Sequence, residues 1–210
     1  MKSKNKSKKI HKLFTEFLYT TKLKDINNEE LLKVAYSMKN KEGFTENQPN
    51  WSSNTLSTMN YPLNEAEDPT GVIKATMDSI AKEVIEFTSE FDVPPGAHIQ
   101  VTGGWFNFAA PGDFQEQHTH AHANLSAVYY IKLPPNSGYT SFRKPYTSMM
   151  QLPSTTGTNC AEHFLLDSVE ESDLVIFESY LPHMAEVNRS EEERVTMGMN
   201  FWIVEPEGGM

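Results

Sequence analysis

From Ile99 to Val204 the chain is a succession of short runs rich in β-branched and aromatic residues, with no helical period among them. The runs cover 99–108, 117–132, 138–143, 162–166, 173–178, 182–187 and 193–204. Turn formers separate them, notably Pro111-Gly112, Pro134-Pro135-Asn136-Ser137-Gly138 and Pro153-Ser154. Seven or eight strands without an intervening helix leave a β-sandwich or barrel as the architecture of this half.

The first half reads differently. Asn28 can cap a helix whose Glu29 and Glu30 suit its N-terminal dipole, with Leu31, Ala35 and Met38 on one face and Gly43 as a stop. A second helix opens at Asp68-Pro69 and carries Ile73, Met77, Ile80, Val84, Phe87 and Phe91 at steps of three and four, ended by Pro94-Pro95-Gly96. Its apolar stripe needs a cover, and the alternate residues Val195, Met197, Met199, Phe201 and Ile203 of the last strand supply one. The expected organisation is a basic tail at 1–13 and a single domain at 14–210, with a helical layer over 28–92 and a β core over 97–206. Two polar stretches, 44–67 with Trp51 and 144–161, are long enough to form a lid over a site.

The formal charge of -10 conceals six lysines among the first twelve residues, so the body is more acidic still. An acidic body argues against general nucleic-acid binding, because phosphate affinity needs a positive surface. No apolar run approaches a membrane span, and the one cysteine, Cys160 in a polar loop, fits a reducing, cytoplasmic compartment without disulfides or cysteine-held zinc.

Chemistry concentrates in Gln117–Lys132, where His118, His120 and His122 alternate and would project from one face of an extended strand. That face continues through Asn124, Ser126, Val128, Tyr130 and Lys132, while Leu125, Ala127, Tyr129 and Ile131 form an apolar one. One strand could thus give two imidazoles to one metal ion. A third arrives at His183, after the buried-type strand Leu174–Phe177. Arg194 follows, beginning a face of Thr196, Gly198, Asn200 and Trp202; an arginine beside small residues suits a carboxylate held by two parallel hydrogen bonds.

This order of histidine strand, distal histidine and later arginine resembles the iron(II)/2-oxoglutarate-dependent oxygenases. More narrowly, Trp105-Phe106-Asn107, Gly112, His118-Thr119-His120, Leu125 to Tyr130, Pro134 with Ser137-Gly138, and Asn200-Phe201 resemble a 2OG-Fe(II) oxygenase family of phages and bacteria, and Asn50-Trp51-Ser52-Ser53 resembles its upstream signature. The resemblance implies a double-stranded β-helix (jelly roll, cupin-like) with the N-terminal helices on one sheet. It implies Fe(II), 2-oxoglutarate and dioxygen as cofactor and cosubstrates, with iron ligands His118, His120 and His183. Arg194, with Ser126 and Tyr130, would hold the small-molecule cosubstrate, and Trp105, Asn107, Asn200 and Trp202 would face the primary substrate. Where the superfamily usually places a carboxylate this chain has His120; His122, Asp113 or Glu116 remain alternatives for that position, and His118 with His120 alone keep the family's distance to Ser126. The implied activity is a dioxygenase, a hydroxylase of unassigned substrate, with homodimer formation left open. A cupin-like metal-binding protein and a 2-oxoglutarate-independent three-histidine dioxygenase share the fold and are the competing readings. Histidine ligation further implies that iron affinity falls as pH drops through the free-imidazole range.

Overall fold

The computed structural model of the protein describes residues 16–206 apart from 44, 48–51, 62, 64–65, 92, 94 and 146–162. The basic tail at 1–13, Trp51, Cys160 and all but the first two residues of the 144–161 stretch lie outside the described residues. The described residues form eleven strands and two helices, in the order β1 (Leu18–Lys22), α1 (Asn28–Asn40), β2 (Glu46–Asn47), β3 (Leu56–Ser57), α2 (Val72–Thr88), β4 (His98–Ala109), β5 (Gln115–His118), β6 (Leu125–Lys132), β7 (Thr140–Arg143), β8 (His163–Leu165), β9 (Asp173–Glu178), β10 (His183–Ala185) and β11 (Arg194–Val204).

The strands pair antiparallel into a seven-stranded sheet, β1-β9-β6-β11-β4-β3-β2, and a four-stranded sheet, β5-β10-β7-β8. Alternation along β6 explains the layering. Leu125, Ala127, Tyr129 and Ile131 join Val195, Met197, Met199 and Phe201 of β11 in a core against α1 and α2. The opposite face of the large sheet contributes Tyr130, Val175 and Phe177 to a second, smaller core shared with Phe142 of β7. Both helices therefore lie on the outer face of the large sheet, and the site lies between the sheets.

The helix starts differ from the sequence reading in instructive ways. Asn27, not Asn28, caps α1, its side chain accepting from the Glu30 amide at 3.2 Å. Asn28 turns instead to the sheet, where its carboxamide bonds the Tyr129 hydroxyl at 2.7 Å and Ser172 Oγ at 3.0 Å. The N-cap position of α2 is Gly71, without a side-chain bond, yet Asp68 reaches over the turn to accept from the amides of Val72 and Ile73, both at 2.9 Å. Strand β1, not expected from the sequence, seals the edge beside β9 with five register pairs from Leu18↔Phe177 to Lys22↔Asp173.

The run 117–132 is not one strand. It breaks after His118, crosses between the sheets over residues 119–124 and resumes at Leu125. The crossing is tied by His120 N to Ser179 O, Ser179 N to Asn124 O and Asn124 N to Phe201 O, each at 2.9 Å. Among the described residues no helix is long and apolar enough to cross a membrane.

Candidate active site

The crossing delivers two histidines to one point by a route that simple alternation does not describe. His118 ends β5 and pairs in register with His183 of β10, while His120 lies just off the strand. The candidate ligand nitrogens of His118, His120 and His183 all lie within 4.8 Å of one another. Their ring centroids are 5.2, 4.3 and 5.0 Å apart for the pairs 118–120, 118–183 and 120–183. His122 is exposed and does not join the group.

Hydrogen bonds orient each ring. His118 Nδ1 donates to the Glu116 carbonyl at 2.7 Å and His183 Nδ1 to the Leu181 carbonyl at 2.8 Å. His120 Nδ1 is held by Asn200 Oδ1 at 2.6 Å and Ser126 Oγ at 2.8 Å. Engaging every Nδ1 assigns Nε2 of each ring to the common centre. Burial is the first cause that lowers the pKa of all three rings, taking His120 to about 4 and His183 to about 3. All three are thus neutral imidazoles at pH 7, the form that binds a metal. For His120 and His183 this puts proton competition below the free-imidazole range expected from the sequence.

The alternative carboxylates are used elsewhere. Glu116 accepts from the Ser52 amide at 2.6 Å and from the Ser52 hydroxyl, and Asp113 accepts from the Ala110 amide at 2.9 Å. Neither belongs to the histidine group. The set is three nitrogen donors on one side of a cavity, chemistry that suits a first-row divalent ion such as Fe(II).

Arg194 lines the same cavity. It is 4% exposed, and its Nη1 donates to the carbonyls of Ser137, Gly138 and Glu186 at 2.6, 3.0 and 3.2 Å. The Ser137-Gly138 turn is built for this grip: Gly138 has φ +80°, and a Cβ there would sit 2.6 Å from the Glu186 carbonyl oxygen. Burial lowers the pKa of Arg194, but a guanidinium remains a cation at any ordinary pH. The acids nearest in sequence bond lysines, Glu193 with Lys39 and Glu192 with Lys132, and no described carboxylate lies in ion-pair reach of Arg194.

Register pairs stack the remaining wall in rows. Above Arg194↔Ala109 come Thr196↔Asn107 and Gly198↔Trp105 between β11 and β4, with Thr196↔Tyr130 and Gly198↔Val128 on the β6 side. Trp105 and Asn107 line the cavity, as does Tyr130, whose hydroxyl bonds Thr140 Oγ1 at 2.6 Å. Asn107 Oδ1 is buried without a hydrogen-bond partner among the described residues. Three sequence expectations shift. Ser126 lies behind His120 rather than on the cavity wall, Asn200 supports that histidine instead of facing a substrate, and Trp202 is 42% exposed and does not line the cavity. Sequence reading also missed Thr55, Met59 and Met184 on the wall, and Ser179 behind it; no motif marks them, since each is brought in by long-range pairing.

Residues 103–200, which span the three histidines, Arg194, Trp105, Asn107 and Asn200, match the family described as "Putative 2OG-Fe(II) oxygenase". No curated protein matches the chain in sequence. Solved structures do match it in fold. A prolyl-4-hydroxylase from Pseudomonas putida superposes with a TM-score of 0.58 at 15% identity, covering 91% of this chain and 94% of that one. The epimerase SnoN from nogalamycin biosynthesis, solved with Fe3+, alpha ketoglutarate and nogalamycin RO, gives 0.63 at 11% identity over 93% and 88%. A prolyl hydroxylase from Trichoplax adhaerens, in complex with a hypoxia inducible factor peptide fragment, gives 0.62 at 13% over 88% and 83%. The architecture is therefore the double-stranded β-helix of those enzymes, with α1 and α2 added to its larger sheet. The motif-bearing segment is thus similar to the 2OG-Fe(II) oxygenases, and the fold is shared with the solved enzymes named above.

Proposed function

We propose that His118, His120 and His183 hold the iron, that Arg194 holds the distal carboxylate of 2-oxoglutarate, and that the enzyme hydroxylates a C–H bond of its primary substrate. The observation that carries this assignment is a buried guanidinium with no carboxylate among the described residues in ion-pair reach, lining the same cavity as three neutral imidazoles. A buried cation left unpaired is costly, so its position favours an anionic occupant. The donor set fits Fe(II), whose usual protein ligands are imidazole and carboxylate.

Iron(II) with 2-oxoglutarate bound supplies the oxidation itself: dioxygen is consumed, the ketoacid becomes succinate and carbon dioxide, and one oxygen atom reaches the substrate as a hydroxyl group. The protein's part is placement. Arg194 Nη1 is locked by three carbonyls, so the rest of its fork is directed without further ordering cost. Tyr130, neutral because burial raises its pKa, stands next to Arg194 and can add a hydrogen bond from the cavity side. The hydrogen bonds to Nδ1 hold all three imidazoles in the metal-binding tautomer. Trp105 and Asn107 would meet the primary substrate, the orphaned Asn107 Oδ1 taking a hydrogen bond from a donor on it. Hydroxylation is preferred among the outcomes this chemistry allows because two of the proteins that share the fold are prolyl hydroxylases. A single cysteine in 210 residues fits a cytoplasmic setting.

The test is iron-dependent succinate formation from 2-oxoglutarate, followed with and without candidate substrates. Wild-type protein should release succinate slowly without a primary substrate; His183→Ala should release none. Arg194→Met should lose 2-oxoglutarate affinity by about 100-fold or more, the scale for removing one side of a buried charged pair, and keep its metal affinity. Metal loss in Arg194→Met, or unchanged turnover, would refute the role given to Arg194.

A further inference from the structure

The three imidazoles are oriented by different means. His118 and His183 donate to backbone carbonyls two residues earlier in their own segments, so their tautomers are built into the chain. His120 instead depends on side chains from two other elements. Asn200 Oδ1, 2.6 Å from His120 Nδ1, is an acceptor only, which puts the proton on Nδ1 and the lone pair on Nε2.

Behind this contact the protons can all be assigned. Ser126 Oγ donates to the same Asn200 oxygen at 2.8 Å, which uses its single hydrogen. Ser179 must then donate across its 2.8 Å contact with Ser126, and the Ser179 carbonyl takes the His120 amide at 2.9 Å. Ser126 and Ser179 are buried at 1% and 0% exposure. Asn200 sits where the β11–β4 register shifts between Asn200 and Phe201, an irregularity of the kind that re-aims a side chain. Turned the other way, its amide nitrogen would demand the opposite tautomer and place a proton on His120 Nε2.

We infer that Asn200, backed by the Ser126–Ser179 hydroxyl pair, is a positioning residue that selects the metal-binding tautomer of His120. The inference rests on the assignment of His120 as a ligand. Because the acceptor is a neutral carboxamide rather than a carboxylate, His120 stays a neutral imidazole and all three donors leave the charge of the ion undiminished.

Two measurements on the full-length protein test this. Long-range 1H–15N spectra of the metal-free protein read the tautomer directly: His120 should be the Nδ1–H form in wild type and should lose that preference in Asn200→Leu. Anaerobic Fe(II) and Co(II) affinities, by chelator competition, should fall by about 10- to 100-fold in Asn200→Leu, the scale for losing an outer-shell partner. Asn200→Asp, which restores an acceptor at the same place, should bind at least as tightly as wild type. If Asn200→Leu fails to fold, Asn200→Ala is judged by the same criteria. Wild-type affinity and an unchanged tautomer in the apolar variant would overturn the inference, as would an Asp variant as weak as the Leu variant. Equal metal affinity in wild type and His120→Ala would overturn the ligand assignment itself, a different failure.

Discussion

Gly198 offers a perturbation whose size can be worked from the structure. A Cβ built on it would stand 2.6 Å from Cε2 of Trp105 and 2.8 Å from both Cζ2 and Nε1. Carbon atoms rest about 3.5–4.0 Å apart, so the indole would have to retreat by roughly 1 Å. It has little room, being 6% exposed with its ring 5.7 Å from that of His120. Gly198 lies inside β11 outside the left-handed region, so alanine there meets no backbone strain and the collision alone sets the cost. Overpacking of this kind costs about 1–3 kcal/mol. At roughly 2–4 °C per kcal/mol for a chain of this size, Gly198→Ala should lower the melting temperature by about 2–12 °C. Thermal unfolding of Gly198→Ala, Trp105→Phe and the double variant forms a cycle, and the two changes should couple favourably by at least about 1 kcal/mol, because phenylalanine lacks the atoms that collide. A Gly198→Ala protein as stable as wild type, with additive effects in the cycle, would refute the close approach and with it the placement of Trp105 as a cavity wall.

Acid should destabilise the metal-free protein early. His120 and His183 are depressed to about 4 and about 3 by burial, so between those values and the ordinary 6.5 the unfolded chain binds more protons than the folded one. The stability these neutral rings preserve is whole above about pH 6.5 and is lost as pH falls toward 4, a change on the order of a few kcal/mol. Melting temperature against pH should show it, and His183→Gln should flatten the curve; a wild-type melting temperature constant from pH 7 to pH 4.5 would contradict it. Asp68→Ala removes both side-chain bonds to the first amides of α2 and should cost about 1 kcal/mol in chemical denaturation; no measurable change would show that Asp68 is not the cap of that helix.

What the sequence disclosed was what local pattern controls. Alternation in Leu125–Lys132 and Arg194–Ile203 assigned the core face and the site face of β6 and β11, because side-chain period is a property of the strand itself. The motif order His118, His120, His183 and Arg194 named residues that the fold brings to one cavity. Long-range closure was not legible. The break after His118 depends on which sheet each segment joins, and the hydrogen bond that fixes His120 comes from a residue 80 positions away. Ser126 was read as a cosubstrate contact because its face was right, but the crossing 119–124 turns His120 back over it. Strand β1 carries no turn signals of its own and is recruited by the free edge of β9. Trp202 shares a strand face with Arg194, yet it lies eight positions further along the strand, past the shift after Asn200, which puts it beyond the cavity and 42% exposed.

The most direct measurement is an anaerobic visible spectrum of the metal-free protein titrated with Fe(II) and then with 2-oxoglutarate, repeated with His118→Ala and Arg194→Met. A weak charge-transfer band that needs both additions in wild type, is absent in His118→Ala and requires far more 2-oxoglutarate in Arg194→Met is the expected result. Iron binding without any band at saturating 2-oxoglutarate, or the same band in all three proteins, would contradict the assignment of the three histidines and the arginine to one catalytic site.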